Sequence, residues 1–210
     1  VSRGWLGVII QDVTRDLAES FGMKIPHGAL VAKVLPDSPA EKFKLAVGDI
    51  ITKFNNTEIG SSSQLPPIVG NTKIGKKVPV EVIRDSKTKS INIILEELPD
   101  EVSLAGNSNE QRQKSSSNPL NITVVDPTDE QRQQLKIENQ GVLVQSVEKG
   151  PASTAGIRQG DVILLLNNKK VMTVKRFNEV AKVLPKDKSI PVLVQRRGNP
   201  IFLAFRINDE

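Results

Sequence analysis

The groups in this chain best suited to chemistry are on the backbone rather than on side chains. In the opening stretch Arg3-Gly4-Trp5-Leu6-Gly7-Val8-Ile9-Ile10, two glycines flank a Trp-Leu pair, and the run then turns β-branched. Val and Ile favour a pleated strand. Glycines just ahead of a strand mark a bulge, a sharp turn, or a backbone that another group must approach closely. The pattern by itself leaves these readings level. Side-chain candidates are few. His27 is the only histidine, it sits in a Pro-His-Gly turn, and no Gly-x-Ser-x-Gly stretch accompanies it, so no Ser-His-Asp triad is expected. Asp49 and Asp161 each follow a Gly at the start of a strand, where a carboxylate is expected to hold a turn rather than act as acid or base. The chain has no Cys, which removes disulfides, thiol catalysis and Cys-rich metal sites, and no His/Asp/Glu cluster shows metal-ligand spacing. No catalytic residue, metal or cofactor is expected.

The elements that position this stretch occur twice. Gly48, Asp49 and Asn55 return as Gly160, Asp161 and Asn167, each 112 positions later (48 to 160, 49 to 161, 55 to 167), and the offset holds from Pro39/Pro151 to Arg84/Arg196. That period is too long for a solenoid unit of about 20–50 residues, so it marks a duplicated domain. Between the copies, residues 99–118 are polar, rich in Ser, Asn and Gln, and have no apolar period, which reads as a linker. The expected division is a first domain over 1–98 and a second over 119–210.

Each copy reads alike. A short strand (7–10 or 122–125) leads to a short helix, with Thr14 as N-cap in the first copy and a Thr128/Gln131 capping box in the second. An apolar strand follows at 29–34 or 142–147. Ser38-Pro39 and Gly150-Pro151 then open a one- or two-turn helix with Pro in its tolerated first position. Asn-Asn pairs after the next strand suit left-handed turn positions. A second helix carries Phe177, Val180, Ala181 and Leu184 on one face, matched in the first copy by Leu65, Ile68 and Val69 in a helix shortened by Pro66 and Pro67. Two strands close each copy. The fold class is mainly β with short helices: two small, partly open β-barrel or sandwich domains in tandem.

Composition narrows the partners. The chain is 38% hydrophobic and 25% charged, ordinary for a globular protein, but only 3% aromatic, so its cores must be aliphatic. The net charge of +5 is scattered, without the basic stripe and interleaved aromatics of a nucleic-acid binder. No run approaches the roughly 18 apolar residues of a membrane span. Neither nucleic acid nor membrane insertion is expected. The chain starts with Val rather than Met, which reads as a piece of a longer protein.

With the loop Arg3–Val8, the Ser38–Ile51 helix–Gly-Asp–strand segment and the apolar helix after Asn55-Asn56 in view, each copy resembles a PDZ domain in the circularly permuted arrangement of bacterial HtrA/Deg proteases. The stretch from Arg3 to Gly22 is most similar to the DegQ/MucD branch of periplasmic serine endoproteases. The resemblance implies a peptide-binding and regulatory pair that follows a chymotrypsin-like protease domain in the periplasm. It also implies capture of C-terminal or unfolded polypeptide segments of envelope proteins, with the protease domain and other subunits of a homo-oligomer as further partners. PDZ domains add the partner's C-terminal end as an extra strand and hold its carboxylate in a nest of backbone N–H groups. The carboxylate loop is thereby assigned to Trp5, Leu6, Gly7 and Val8, with Arg3 adding positive potential. Ile10, Leu65, Ile68 and Val69 complete the groove with Leu6 and Val8. A β-branched side chain at Gly7 is expected to block the nest and leave the fold largely intact. In the second copy the loop reads Pro119-Leu120-Asn121-Ile122: Asn121 adds a side chain at the nest and Pro119 has no N–H, so weaker carboxylate binding is expected although Leu120, Ile122, Val124, Phe177 and Val180 remain apolar. Two other settings fit a PDZ pair, the periplasmic part of an intramembrane metalloprotease and a free-standing adaptor.

Overall fold

The computed structural model describes residues 3–98, the backbone of 114–115, and residues 118–207. The chain divides into two compact units, Val1–Ser103 and Leu104–Glu210. The first contains β1 (Gly4–Trp5), β2 (Val8–Asp12), α1 (Arg15–Ser20), β3 (Ala29–Val34), α2 (Pro39–Lys42), β4 (Ile50–Phe54), β5 (Thr57–Glu58), α3 (Leu65–Asn71), β6 (Lys77–Arg84), β7 (Lys87–Ile94) and β8 (Glu96–Glu97). The second contains β9 (Lys114–Ser115), β10 (Ile122–Val125), α4 (Asp129–Leu135), β11 (Val142–Val147), α5 (Pro151–Thr154), β12 (Val162–Leu166), β13 (Lys169–Lys170), α6 (Val174–Lys182), β14 (Ser189–Arg196) and β15 (Asn199–Arg206).

Both units are mainly β with short helices. In the first, an antiparallel sheet runs β2-β3-β4-β6-β7, with β5 on β4 and a separate β1–β8 pair. Among the described residues β2 pairs on one side only, so its outer backbone groups are open. The second sheet runs β15-β14-β12-β11-β10-β9, with β13 on β12. Its first hairpin strand, β9, lies within the stretch read as a linker; residues 99–113 and 116–117 of that stretch lie outside the described residues.

Local chemistry sets the element ends. Thr14 Oγ1 accepts the Leu17 N–H at 3.3 Å, and Thr128 and Gln131 close their capping box in both directions. Both residues of each Asn-Asn turn are left-handed, with φ 48° and 64° at Asn55 and Asn56 and 50° and 60° at Asn167 and Asn168, which matches the twist of the strands they join. With Pro66 and Pro67 in its opening turn, α3 spans seven residues where α6 spans nine.

Each core is mainly aliphatic, as the scarcity of aromatics implied, with Phe54 buried in the first and Phe177 and Phe205 in the second. In the first unit Val31, Ile51, Phe54, Val80, Val82 and Ile93 close the sheet against Leu65 and Val69 of α3. In the second, Ile163, Leu166, Val192 and Val194 do so against Phe177 and Val180 of α6.

One polar device is built identically into both cores. Asp49 is almost fully buried and takes Nε and Nη2 of Arg84 on its two oxygens, while Oδ2 also accepts the Ala46 N–H at 2.9 Å. Arg84 Nη2 donates onward to the Lys44 carbonyl at 3.0 Å. Asp161, Arg196, Arg158 and Gly156 repeat the arrangement. The two aspartates therefore hold the turn that launches β4 or β12, as the sequence implied, and each also clamps an arginine from the strand paired with it, β6 or β14.

Candidate functional site

The loop between β1 and β2 owes its form to its two glycines. A Cβ on Gly4 would come within 2.5 Å of the Val69 carbonyl oxygen, so only Gly lets β1 lie on the end of α3. Gly7 has φ +79°, and a Cβ there would meet Ser38 Cβ at 2.1 Å. Ser38 is fixed in turn: its Oγ donates to the Leu35 carbonyl at 2.6 Å and caps α2 by accepting the Glu41 N–H at 3.2 Å. The expectation that a side chain at Gly7 would spare the fold is therefore corrected, because it would collide with a fully buried serine.

Two hydrogen bonds then aim the loop's donors. The Leu6 carbonyl accepts the Ala40 N–H at 2.9 Å, and the Gly7 carbonyl accepts the Leu35 N–H at 2.8 Å. All peptide bonds here are trans, so a C=O and the N–H that follows it point in opposite directions. Holding Leu6 and Gly7 carbonyls inward turns the Gly7 and Val8 N–H groups outward. The Gly7–Leu35 bond also makes Val8↔Val34 a non-hydrogen-bonded pair, which directs the Val8 N–H to the open edge of β2. Among the described residues neither N–H has an acceptor. Two successive donors converging outward form a concavity suited to an anion.

Beside these donors lies an apolar strip. Val8 and Ile10 of β2 and Ile68 of α3 are half-buried and pack on the core, while Leu6, Leu65 and Val69 lie inside it. The predicted groove residues thus come together in one cluster, with an outer layer of three half-buried residues over an inner layer of three buried ones. Ile9 projects to the other face and is 38% exposed. Trp5 is half-buried near Gly7, and Arg3 is exposed at the loop's start. His27 lies on an exposed loop, its Nδ1 3.0 Å from the Ile25 carbonyl. Among the described residues no group of His, Cys, Asp or Glu could hold a metal ion.

A tether unseen in the sequence sets the groove's width. Asp12, at the end of β2, accepts the N–H and the Oγ–H of Ser62 on Oδ1 at 2.9 and 2.7 Å, tying the strand to the turn that opens α3. In the second unit Asp126 Oδ1 takes the Val174 N–H at the start of α6 at 2.9 Å. The Ser62 hydrogen bonds lower the Asp12 pKa from its ordinary value. A lowered carboxylate pKa contributes stability above the unfolded value, lost as pH falls through the folded one. Asp12→Ala is expected to loosen α3 against β2. Faster amide exchange at Ile68 and Val69, at neutral pH but not below the Asp12 pKa, is the measurement; equal exchange at neutral pH would dismiss the tether.

The second copy departs at the loop. Asn121 takes the left-handed conformation of Gly7, with φ +57°, and its carbonyl accepts the Glu148 N–H at 2.9 Å. Its side chain does not enter the nest. Nδ2 donates to the Lys149 carbonyl at 3.1 Å and packs on Gly150, where a Cβ would lie 2.6 Å from it. Gly7 facing Ser38 is thus exchanged for Asn121 facing Gly150: one contact, with the side chain supplied from opposite sides. Sequence reading found the Gly-to-Asn half and missed its partner, although Ser38 and Gly150 both stand directly before the helix-opening proline. Leu120, Ile122, Val124, Phe177 and Val180 are all buried.

These features meet known proteins at several points. The PDZ domain family matches residues 4–95 and again residues 110–195. A probable periplasmic serine endoprotease DegP-like of Pseudomonas savastanoi pv. phaseolicola is 46% identical over 209 residues, which cover 100% of this chain and 43% of that protein. Its counterpart in Hahella chejuensis is 44% identical over 210 residues, 100% of this chain and 45% of that one. The chain spans under half the length of these relatives. Among solved structures, the HtrA-type protease AlgW with decapeptide is 32% identical with a TM-score of 0.44, covering 48% of this chain and 31% of that one. No helix among the described residues is long and apolar enough to cross a membrane. The chain belongs to the PDZ domain family, and carries two such domains in tandem.

Proposed function

We propose that this chain is the tandem PDZ region of a periplasmic HtrA/Deg-type serine endoprotease, and that its first domain captures polypeptides by their free C-terminal ends. The observation that carries the reading is the pair of outward N–H groups at Gly7 and Val8 beside the half-buried strip of Val8, Ile10 and Ile68. A bound chain would extend the sheet at β2, place its carboxylate on the two donors and its last apolar side chain against Ile68. Arg3 would favour the anion. Trp5, Leu6, Leu65 and Val69 would support loop and groove from behind.

The relatives' naming as periplasmic serine endoproteases favours this setting over an intramembrane metalloprotease or a free-standing adaptor. Hydrolysis would belong to the part of such a protein that this chain does not span. The pair would hand misfolded envelope proteins to that protease domain and take part in contacts between subunits.

The test uses the whole chain. Trp5 is the only tryptophan, so its fluorescence reads the first domain alone. A peptide ending in an apolar residue is titrated as free acid and as C-terminal amide. A hydrogen bond to a charged group contributes about 1.5–3 kcal/mol, so amidation should weaken binding roughly ten- to a hundred-fold. Equal affinities would remove the carboxylate reading.

A further inference from the structure

We propose that the second PDZ domain carries its own occupant: Lys114, Ser115 and Asn118 fill the peptide site, and an external peptide binds there only by displacing them. The proposal rests on the reading of the first domain as a C-terminal peptide binder.

Three observations converge. First, β9 adds to the edge of β10 that corresponds to the open edge of β2, antiparallel, with Ser115 opposite Val124 and Lys114 opposite Val125. It also lies against α6, so it runs between strand and helix, where a peptide ligand would lie. Second, Asn118 supplies the acceptors that a carboxylate would. Its Oδ1 accepts the Leu120 N–H at 3.2 Å and its backbone carbonyl accepts the Asn121 N–H at 3.1 Å, and Nδ2 donates to the Ile122 carbonyl at 2.6 Å. The Asn121 donor is the counterpart of the Gly7 donor, which has no acceptor among the described residues. Third, the groove is covered. Val8, Ile10 and Ile68 are half-buried, whereas their counterparts Ile122, Val124 and Val180 are only 3%, 0% and 2% exposed.

The polarity agrees as well. Because β9 is antiparallel to β10, it runs from Lys114 to Ser115 toward the loop at Leu120–Ile122, the direction in which a bound C-terminus would run. The weaker binding expected of the second domain would then come from occupancy: apparent affinity falls by the fraction of molecules in which the site is vacant.

Ser115→Pro removes a ladder N–H and cannot sit in the β9–β10 pair. Asn118→Ala removes the side-chain acceptor and donor. Each full-length variant is titrated with the peptide Gly-Ala-Ala-Ala-Leu bearing a free carboxylate, read by amide NMR shifts at Ile122 and Val124 for the second domain and by Trp5 fluorescence for the first. Both variants should bind at the second domain at least ten-fold more tightly than the unmodified chain, with first-domain affinity unchanged. In the unmodified chain, cross-strand NOEs between Ser115 and Val124 should be present and vanish as peptide fills the second domain. Unchanged second-domain affinity in the variants, with normal binding at Trp5, overturns the proposal and leaves the first-domain reading standing. Lack of binding at both domains overturns both. If Ser115→Pro loses the dispersed second-domain spectrum, Asn118→Ala and the NOEs decide, and NOEs that are absent or survive saturation overturn the proposal.

Discussion

Asp49→Ala should lower the stability of the first domain by about 3–5 kcal/mol, the cost of removing one partner from a buried ion pair. Asp49 is 1% exposed and serves three donors, the two nitrogens of Arg84 and the Ala46 N–H. Without it the guanidinium keeps only the Lys44 carbonyl, and the turn before Ile50 loses its clamp just where β4 enters the sheet. The hydrogen bonds that Arg84 donates to Asp49 raise the Arg84 pKa above its ordinary value. A raised cationic pKa contributes stability below the unfolded value and loses it only as pH rises beyond, so this contribution is constant through the neutral range. Urea unfolding followed by Trp5 fluorescence isolates the first domain. Asp49→Leu with Arg84→Met removes charge from both sides and should recover most of the loss. A single-variant cost below about 1 kcal/mol would show that water replaces the aspartate's role.

Sequence legibility followed the range of the interaction. Caps, Asn-Asn turns, helix-opening prolines and alternating strands depend on neighbours a few residues apart, and those elements lie where their residue types place them: the strands at 29–34 and 142–147 and the shared core-packed side of Leu6, Val8 and Ile10 are examples. What could not be read were contacts between distant residues. Arg84 and Asp49 are 35 positions apart, and nothing local in either names the other, although the same offset carried both into the second copy. Asp12 and Ser62 are 50 apart. The β9 strand was hidden for a different reason: a polar, Ser-rich segment has no periodicity of its own, and its extended form is supplied by the edge on which it lies.

The contact between Gly7 and Ser38 makes the remaining prediction. Gly7→Asn alone should destabilise the first domain by about 1–3 kcal/mol, since the new Cβ would overlap Ser38 Cβ at 2.1 Å in a close-packed loop. The left-handed φ of +79° adds little for Asn, which tolerates that region. Adding Ser38→Gly recreates in the first domain the pairing that Asn121 and Gly150 already make in the second, and should restore most of the stability. The two changes would then be non-additive, with a coupling of about 1–3 kcal/mol. The double variant also separates two accounts of the loop. If the nest is set by the Leu6 and Gly7 carbonyls on Ala40 and Leu35, an Asn side chain turned into the space that Ser38→Gly opens leaves both donors in place, and carboxylate-dependent binding should survive within a few-fold. If the double variant is stable yet no longer distinguishes free acid from amide, the bare backbone of Gly7 is itself part of the recognition. If Ser38→Gly fails to rescue Gly7→Asn, the two domains hold their loops by different contacts, and the exchange seen between the copies is coincidental.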